Sequence, residues 1–318
     1  MAPVAILGSG SVSRHCEHEA STTKDTKDYE AFILRLSFVN LRVLSGSWFS
    51  KSTHYLILDR VASRAARSYI GMHSNREAII IMTTQNTTTQ EFFQQLDERI
   101  AEFDLLCHPF YKAWSAGELS REDLREYARD YYHHVDAFPT YLAELSIRLE
   151  ESELRRAVLA NLADEKGWED ADGKNPEHAE LWLDFAEGMG ASRDLRGHQP
   201  VDEIKDLMSF FHGVASEGMP EEALAAFYAY ESQVPRVAAE KERGLREMYG
   251  ADSKTCGYFT LHSTADVVHS QIWKQQLARR LEQNPQAAER ALTAAGNAAK
   301  ALWSALDGIE SRRMAKAA

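Results

Sequence analysis

The sequence predicts an all-α fold, a bundle of about seven or eight helices within residues 82–318. Apolar residues recur at helical spacing along this part, and helix-capping residues precede several of the segments. No stretch alternates between apolar and polar residues for long enough to form a strand. With 318 residues, of which 44% are hydrophobic and 26% are charged, the chain can bury a substantial core. An all-α bundle is therefore the expected architecture.

Residues 1–81 differ in character from the rest of the chain. They contain ten Lys or Arg residues against seven Asp or Glu residues, whereas the whole chain has a net charge of −12. They show no sustained helical or strand period, and they lack the basic start and long apolar stretch of a signal peptide. We expect either a poorly ordered leader or upstream sequence from a wrongly assigned start, with Met82 as the true initiator.

The helical segments follow one another with short connections. Thr88 and Glu91 form a capping box that predicts the start of a helix continuing through Phe103. Ser120 caps the next helix, which continues beyond Pro139, where a kink is expected. The remaining segments with helical periodicity are 152–166, 176–189, 200–216, 220–248, about 258–283 and 286–315.

Charge and composition argue against two classes of partner. The net charge of −12 disfavours binding to nucleic acid or to an anionic membrane surface. No apolar run approaches the roughly 20 residues that span a bilayer. The three cysteines are far apart and form no CxxC metal clip, which favours a reducing compartment. We expect a cytoplasmic protein with no nucleic-acid or membrane partner. Its oligomeric state stays open, with a homodimer among the alternatives.

The strongest local motif extends from His262 through Asp266 to His269. Residues four and seven positions after the first lie at about 40° and −20° from it around a helix, so the three side chains share one face. Two imidazoles and a carboxylate on one face can bind a transition metal. A solvent-facing polar stripe or two hydrogen-bonded core histidines would give the same pattern. The pair His133 and His134 competes as a candidate, but adjacent helix residues diverge by about 100°, so at most one faces the core.

Glu231 lies within an apolar and aromatic stretch of the predicted helix 220–248. A buried, unpaired carboxylate is costly, so it needs a metal or a hydrogen-bond partner. Pro235 removes the helical hydrogen bond to the Glu231 carbonyl, which predicts a kink at this residue. From the residues alone, a structural salt bridge explains Glu231 as well as a metal does.

Glu165 ends one predicted helix, and His178 begins the next. Together with the residues above they give three carboxylates and three histidines, a mixture that suits iron or manganese better than structural zinc or magnesium. Inward-facing side chains from four helices are the usual way to build a two-metal carboxylate site in a bundle. The predicted ligands are Glu165, His178, Glu231, His262, Asp266 and His269.

Several stretches between about residue 90 and residue 306 match one known family in order and spacing. They are Phe110 to Leu119, Asp130-Tyr-Tyr, Ala137-Phe-Pro139, Tyr230 to Arg236, Glu240-Lys241 and His262 to His269. In these stretches the chain resembles the proteins associating with death domains first described from chlamydiae, which are haem-oxygenase-like diiron oxidases. The resemblance implies the haem-oxygenase-like helical bundle that TenA and PqqC proteins share.

The resemblance also implies an activity, the formation of para-aminobenzoate for folate synthesis. In that family the protein consumes its own side chains: a tyrosine supplies the ring, and a lysine is thought to supply the amino group. These residues correspond to Tyr111 and Lys241, while Tyr127 and Tyr230 match tyrosines that could relay oxidising equivalents. The family's ligands fall on the predicted set. The implied cofactors are two metal ions (Fe/Fe or Fe/Mn), with O2 as co-substrate and an external reductant.

Some features depart from the family and leave alternatives open. The connection from Glu165 to His178 is longer than the family's, so Asp164 is a second choice for the ligand at Glu165. Residues 1–81 have no counterpart. Lys241 follows Glu231 by ten residues, roughly 15 Å along an ideal helix, and would need the kink at Pro235 to come closer. A multiple-turnover oxidase of an external small molecule and a protein-interaction module are the alternative functions.

Overall fold

The amphipathic segments of the sequence form α-helices in the computed structural model, which describes residues 75–168 and 175–317. No strand occurs in these residues, and the all-α prediction is confirmed. Short 3-10 turns occupy Leu105–Cys107 and Pro285–Ala287. The helices are α1 (Asn75–Ala101), α2 (Pro109–Ala116), α3 (Arg121–Arg148), α4 (Glu153–Glu165), α5 (His178–Gly188), α6 (Asp202–Ser216), α7 (Pro220–Glu231), α8 (Val234–Tyr249), α9 (Ser253–Gln283) and α10 (Ala288–Ala317).

The described part of the chain has more helices than the sequence predicted, for two reasons. The short helix α2 has its own signals, since the His108 side chain caps its first turn and Gly117 ends it in the left-handed conformation with φ 71°. The predicted helix 220–248 is divided, because α7 ends at Glu231 and α8 begins at Val234 with Pro235 in its first turn. The helix interruption is therefore adjacent to Glu231.

Two predicted helix starts are corrected. The capping box at Thr88 does not begin a helix, because α1 already begins at Asn75. Helix α9 begins at Ser253 rather than near residue 258, because the Asp252 side chain accepts a hydrogen bond from the backbone of Thr255. Helix α3 continues through Pro139. The boundary expected near Met82 falls inside α1, and residues 1–74 of the expected leader lie outside the described residues.

Helix α7 lies at the centre of the bundle. Every residue from Ala223 to Glu231 is buried, the pattern of a helix with protein on all sides. Helices α9 and α10 pack against it, and α9 also packs against α5 and α8. From Thr89 onward the described residues form one compact unit. None of the described helices is long and apolar enough to cross a membrane.

Gly244 allows α8 to approach α2 closely. A Cβ atom at this position would lie 2.8 Å from Cδ1 and 2.9 Å from Nε1 of Trp114, a fully buried side chain. We expect Gly244→Ala to lower the free energy of unfolding by about 1 to 3 kcal/mol, since the indole must shift in a packed core. Gly213→Ala in α6 is the matched control, because nothing lies within 4 Å of its Cβ position, and it should stabilise by about 0.5 to 1 kcal/mol. Urea denaturation of both variants checks the difference in sign.

Candidate active site

Four helices bring the six predicted ligands into one buried region. Glu165 is the last residue of α4, His178 is the first of α5, and Glu231 is the last of α7. The other three, His262, Asp266 and His269, occupy one face of α9, and all six are buried. Their burial excludes the solvent-facing polar stripe as an explanation of the α9 motif.

The donor atoms fall into two groups that share Glu165. Glu165, His178 and His262 form one group, and Glu165, Glu231 and His269 form the other. Within each group the donor atoms lie within 4.8 Å of one another, which is the spacing expected of ligands around one ion. A carboxylate common to two groups can bridge two ions. Asp266 belongs to neither group, but its Oδ1 lies 3.4 Å from Nδ1 of His269.

Two buried imidazole nitrogens support the fit of this region to metal ions. Nδ1 of His178 and Nδ1 of His269 have no hydrogen-bond partner among the described residues. This holds although Nδ1 of His178 lies 2.9 Å from Oε2 of Glu165. Buried nitrogens normally find a hydrogen-bond partner. A buried imidazole nitrogen that lies near a carboxylate without a hydrogen-bond partner is available to bind a cation.

Neighbouring groups fix the tautomers of two histidines. The Nδ1–H of His262 donates to the carbonyl oxygen of Tyr258 at 2.7 Å, which leaves Nε2 for a metal. Nε2 of His269 lies 3.0 Å from Oδ2 of Asp164, which leaves Nδ1 for a metal. Such partners orient ligand rings and raise their basicity. Asp164, the second choice for the ligand at Glu165, is therefore positioned to orient the ring of His269.

The two oxygens of Glu231 are held by neutral donors. Oε1 accepts from Nδ2 of Asn161 at 3.3 Å, and Oε2 accepts from the indole Nε1–H of Trp273. Burial raises the pKa of Glu231 well above its ordinary value, and the nearby Asp266 and Glu165 carboxylates add to that effect. The raised pKa favours the protonated form where carboxylates crowd together, and a metal ion would compete with the proton for the same position.

Tyr111, Tyr127 and Lys241 form a second cluster, although they come from α2, α3 and α8. The hydroxyls of Tyr111 and Tyr127 are 3.1 Å apart, and Nζ of Lys241 lies 2.6 Å from the Tyr127 hydroxyl. Nζ also lies 4.3 Å from the centre of the Tyr111 ring. All three side chains are buried. Burial lowers the pKa of Lys241 well below its ordinary value, which favours a neutral amine.

This burial predicts a pH-dependent stability difference for Lys241→Met. Between its lowered folded-state pKa and about pH 10.4, the unfolded lysine binds a proton that the folded lysine has released, so the free energy of unfolding rises with pH over this range. The methionine variant removes this cost, which is about 1.4 kcal/mol for each unit of pKa depression. We expect the variant to be more stable than the wild type at pH 7 and to lose its advantage near pH 10. Urea denaturation across this range measures the difference, with the exposed Lys112→Met as control.

Further aromatic side chains connect the candidate metal ligands with the cluster of Tyr111, Tyr127 and Lys241. Sequence reasoning missed most of these side chains. The ring of Tyr258 stacks on His262 with centroids 3.9 Å apart. Tyr230 hydrogen-bonds with Tyr258 and with Tyr131, and Tyr131 stacks on Tyr127 at 5.4 Å. Tyr258 precedes His262 by one helical turn, a spacing that could have identified it. Tyr230 therefore lies between the ligands and Tyr127.

The competing histidine pair does not join either ligand group. His134 is fully buried among aromatic rings, including those of Tyr230 and Phe211. Burial lowers its pKa to about 3, so it is neutral. His133 instead stacks on His198 with centroids 5.9 Å apart. As expected for adjacent helix positions, only one of the two faces the core.

A small cavity lies between the Tyr111 cluster and the ligand helices. Its volume is about 20 Å³, and Tyr111, Lys241, Tyr230 and Tyr258 are among the residues that line it. A cavity of this size holds roughly one water molecule, whereas a cavity that binds benzene has about 150 Å³. A diatomic molecule fits beside Tyr111 in this arrangement, and a second aromatic ring does not.

Comparisons with known proteins identify the family of this chain. Residues 125–303 match the family described as iron-containing redox enzymes. A 4-aminobenzoate synthase from Nitrosomonas europaea is 38% identical over 232 residues, covering 70% of this chain and 92% of the relative. A protein with the same name from Chlamydia trachomatis is 36% identical over 220 residues, covering 69% of this chain and 91% of the relative.

Solved structures support the same fold. A TenA homologue from Pseudomonas syringae has a TM-score of 0.59 at 17% identity, covering 70% of this chain and 92% of that one. A domain from Shewanella denitrificans described as having a heme oxygenase-like fold has a TM-score of 0.58 at 15% identity, covering 72% and 93%. At these identities the likeness concerns the fold alone. With the family match and the closer relatives, the chain belongs to the haem-oxygenase-like iron-containing redox enzymes, together with the relatives named 4-aminobenzoate synthase.

Proposed function

We propose that this protein is an oxygen-dependent dimetal enzyme that makes para-aminobenzoate from its own Tyr111, with Lys241 as the amino donor. The observation that carries the proposal is the burial of Lys241 directly over the Tyr111 ring, with Nζ 4.3 Å from the ring centre. The relatives named 4-aminobenzoate synthase support the product. A cytoplasmic location and an external reductant belong to the same proposal.

The chemistry of the product explains why these two residues are needed together. Para-aminobenzoate has the six-membered ring of tyrosine, an amine in place of the hydroxyl, and a carboxylate in place of the Cβ methylene. A neutral lysine amine beside the ring can attack it, and burial lowers the pKa of Lys241, which favours the unprotonated amine. The hydroxyl of Tyr127 hydrogen-bonds to both groups, so it can hold their relative positions and receive a proton.

The metal ligands would be the six residues predicted from the sequence. Glu165 would contribute to both donor groups, one with His178 and His262 and the other with Glu231 and His269. Asp266 lies beside His269 and would complete the set. A pair of iron ions, or iron with manganese, would supply the oxidising chemistry with O2. The histidines and the mixed carboxylates suit these metals.

The cavity size favours the chain's own ring over an external aromatic substrate. Only about 20 Å³ is free beside Tyr111 and Lys241, so a second ring would require both side chains to move. The interaction-module alternative gives no reason for six buried ligands and a buried lysine, which are costly to bury without a chemical use.

The test is intact-protein mass spectrometry combined with detection of para-aminobenzoate. Metal-loaded protein receives a reductant and O2, and product and protein mass are followed in the same sample. The proposal expects at most one equivalent of product per chain and a mass loss that maps to Tyr111. Product that exceeds the protein many times would indicate an external substrate instead. An unchanged chain without product, despite two bound metals, would contradict the proposal.

A further inference from the structure

The cavity beside Tyr111 has one wall that is not part of an α-helix. Among the described residues that line it, Leu105 alone belongs to a turn, and the others lie on α2, α3, α5, α7, α8 and α9. Leu105 begins the short 3-10 turn between α1 and α2, and its side chain is buried. Its neighbours Asp104 and Leu106 are partly exposed. At this point the turn is therefore the layer between the cavity and the solvent.

An aromatic product cannot leave the cavity while all of its walls keep their places. The cavity has a volume of about 20 Å³, and every residue that lines it is buried. A cavity that binds benzene has about 150 Å³, so no passage of the width of a ring is present. Release of a ring formed at Tyr111 therefore requires that one wall moves.

The turn is the wall whose movement disturbs the fewest interactions. Each of the other lining residues belongs to an α-helix, and its displacement would shift a whole helix in a tightly packed core. The segment from Phe103 to Leu106 instead joins the ends of α1 and α2, and it can swing outward while both helices keep their own hydrogen bonds. Lids over binding sites are drawn from such segments of low local stability.

Two side chains near the junction of α7 and α8 hold this turn in place. The backbone N–H of Leu105 donates to Oε1 of Gln233 at 3.0 Å, and the Gln233 side chain is buried. Nε2 of Gln233 donates to the carbonyl oxygen of Ala229 at 3.2 Å, which fixes the orientation of the amide. Arg236 pairs with Asp104 at 3.2 Å, but Arg236 is half exposed, and such ion pairs contribute little. The buried hydrogen bond is therefore the stronger tether.

We propose that the turn from Phe103 to Leu106 is the gate through which para-aminobenzoate leaves, and that Gln233 is the latch of this gate. This inference rests on the proposed function. The gate opens when the hydrogen bond from Leu105 to Gln233 breaks and the Leu105 side chain leaves the cavity wall. Gln233 is a positioning residue, because it controls passage and does not touch the reacting atoms. The proposal also gives a role to the residues that follow Glu231 in the chain.

Passage through the gate is measured without turnover in Tyr111→Ala, whose missing ring leaves room for a free phenol. The probe is para-fluorophenol, which carries the ring and the hydroxyl that the variant lacks, and fluorine NMR follows its exchange. The full chain is loaded with zinc, which undergoes no redox chemistry. Gln233→Met is then added to this variant. Methionine is of similar length, but its sulfur is only a weak acceptor for the N–H of Leu105.

Gln233→Met should raise the association and dissociation rate constants of para-fluorophenol by about tenfold each, the factor expected from one lost buried hydrogen bond. The Kd should change by less than about twofold, because entry and exit use the same opening and the bound state is unaltered. Gln276→Met in the same background is the matched control. Gln276 is a buried glutamine of α9 that donates to Glu153 and does not line the cavity. Its substitution should leave both rate constants within about twofold.

Hydrogen–deuterium exchange tests the gate without an enlarged cavity, and it decides the matter if Tyr111→Ala does not fold or does not bind the probe. In the metal-loaded wild type, the amide of Leu105 should exchange faster than amides in the middle of α3 and α8. Gln233→Met alone should speed that exchange by about tenfold, because the amide loses its acceptor.

The possible results separate this inference from the proposed function. Unchanged rate constants in Gln233→Met would overturn the gate, as would a Leu105 amide that exchanges only when the whole protein unfolds. A changed Kd at an unchanged association rate would also overturn it, because Gln233 would then shape the cavity and not its entrance. Neither measurement depends on product formation. A wild type that neither modifies Tyr111 nor forms product is therefore a separate result, the failure of the proposed function.

Discussion

Tyr111→Phe is expected to abolish para-aminobenzoate formation and the accompanying mass change, while the protein still folds and binds metal. The phenylalanine ring occupies the same place beneath Lys241 but carries no hydroxyl for the amine to replace. Stability should fall by only about 1 kcal/mol, because a single hydrogen bond to Tyr127 is lost. Product per chain, intact mass and urea denaturation measure the three expectations.

Tyr228→Phe is the matched control for this variant. Tyr228 is also a buried tyrosine, and its hydroxyl donates to Asp97 at 2.8 Å on α1. The control should lose a hydrogen bond to a carboxylate, which costs at least as much stability, and keep full product formation. Undiminished product from Tyr111→Phe would show that the ring comes from elsewhere. Equal loss from both variants would point to damage of the fold.

Glu165→Gln is expected to remove both metal ions at once. Glu165 is the one residue in both donor groups, and an amide oxygen is a much weaker bridging ligand than a carboxylate. Metal content should fall from about two ions per chain to well below one, and product should be lost with it. Glu231→Gln changes only one group and should retain about one ion. Elemental analysis after dialysis gives the stoichiometry.

Glu177→Gln provides the control for a charge change in the same neighbourhood. Glu177 pairs with Lys166 beside His178 but belongs to neither donor group. Its substitution should retain both ions. Binding of metal should also stabilise the wild type, by about 2.7 kcal/mol when the free metal concentration is a hundred times the dissociation constant. Its melting temperature should rise accordingly. Two ions retained by Glu165→Gln would contradict the assignment of a shared ligand.

Much of the fold, and the burial of the candidate ligands in one region, could be predicted because their signals are local. The spacing from His262 to His269 determines a shared helix face, and the structure buries that face with Glu165, His178 and Glu231. The all-α class follows from helical periodicity in the same way. Helix α2 could not be separated as easily, because its eight residues are too few to display a period.

The missed residues depend on contacts between distant parts of the chain. Trp273 and Asn161 hold Glu231 from α9 and α4, but in sequence each is an ordinary core residue. Leu105 and Gln233 likewise gain their significance only when the turn before α2 meets the connection between α7 and α8. The short distance between Lys241 and Tyr111 could not be predicted either, because α2 and α8 meet only in the folded chain. No spacing rule connects residues that are 130 positions apart.

Under the proposed function, the tight enclosure of Tyr111 also determines how loss of its ring would affect the stability of the chain. Loss of the ring would leave an empty space in the core at the junction of α2, α3 and α8, comparable to a Phe→Ala truncation that costs about 3 to 5 kcal/mol. A typical domain has only about 5 to 15 kcal/mol of stability in total. Chains that had lost the ring would therefore unfold more often than intact ones and would be cleaved faster by proteases.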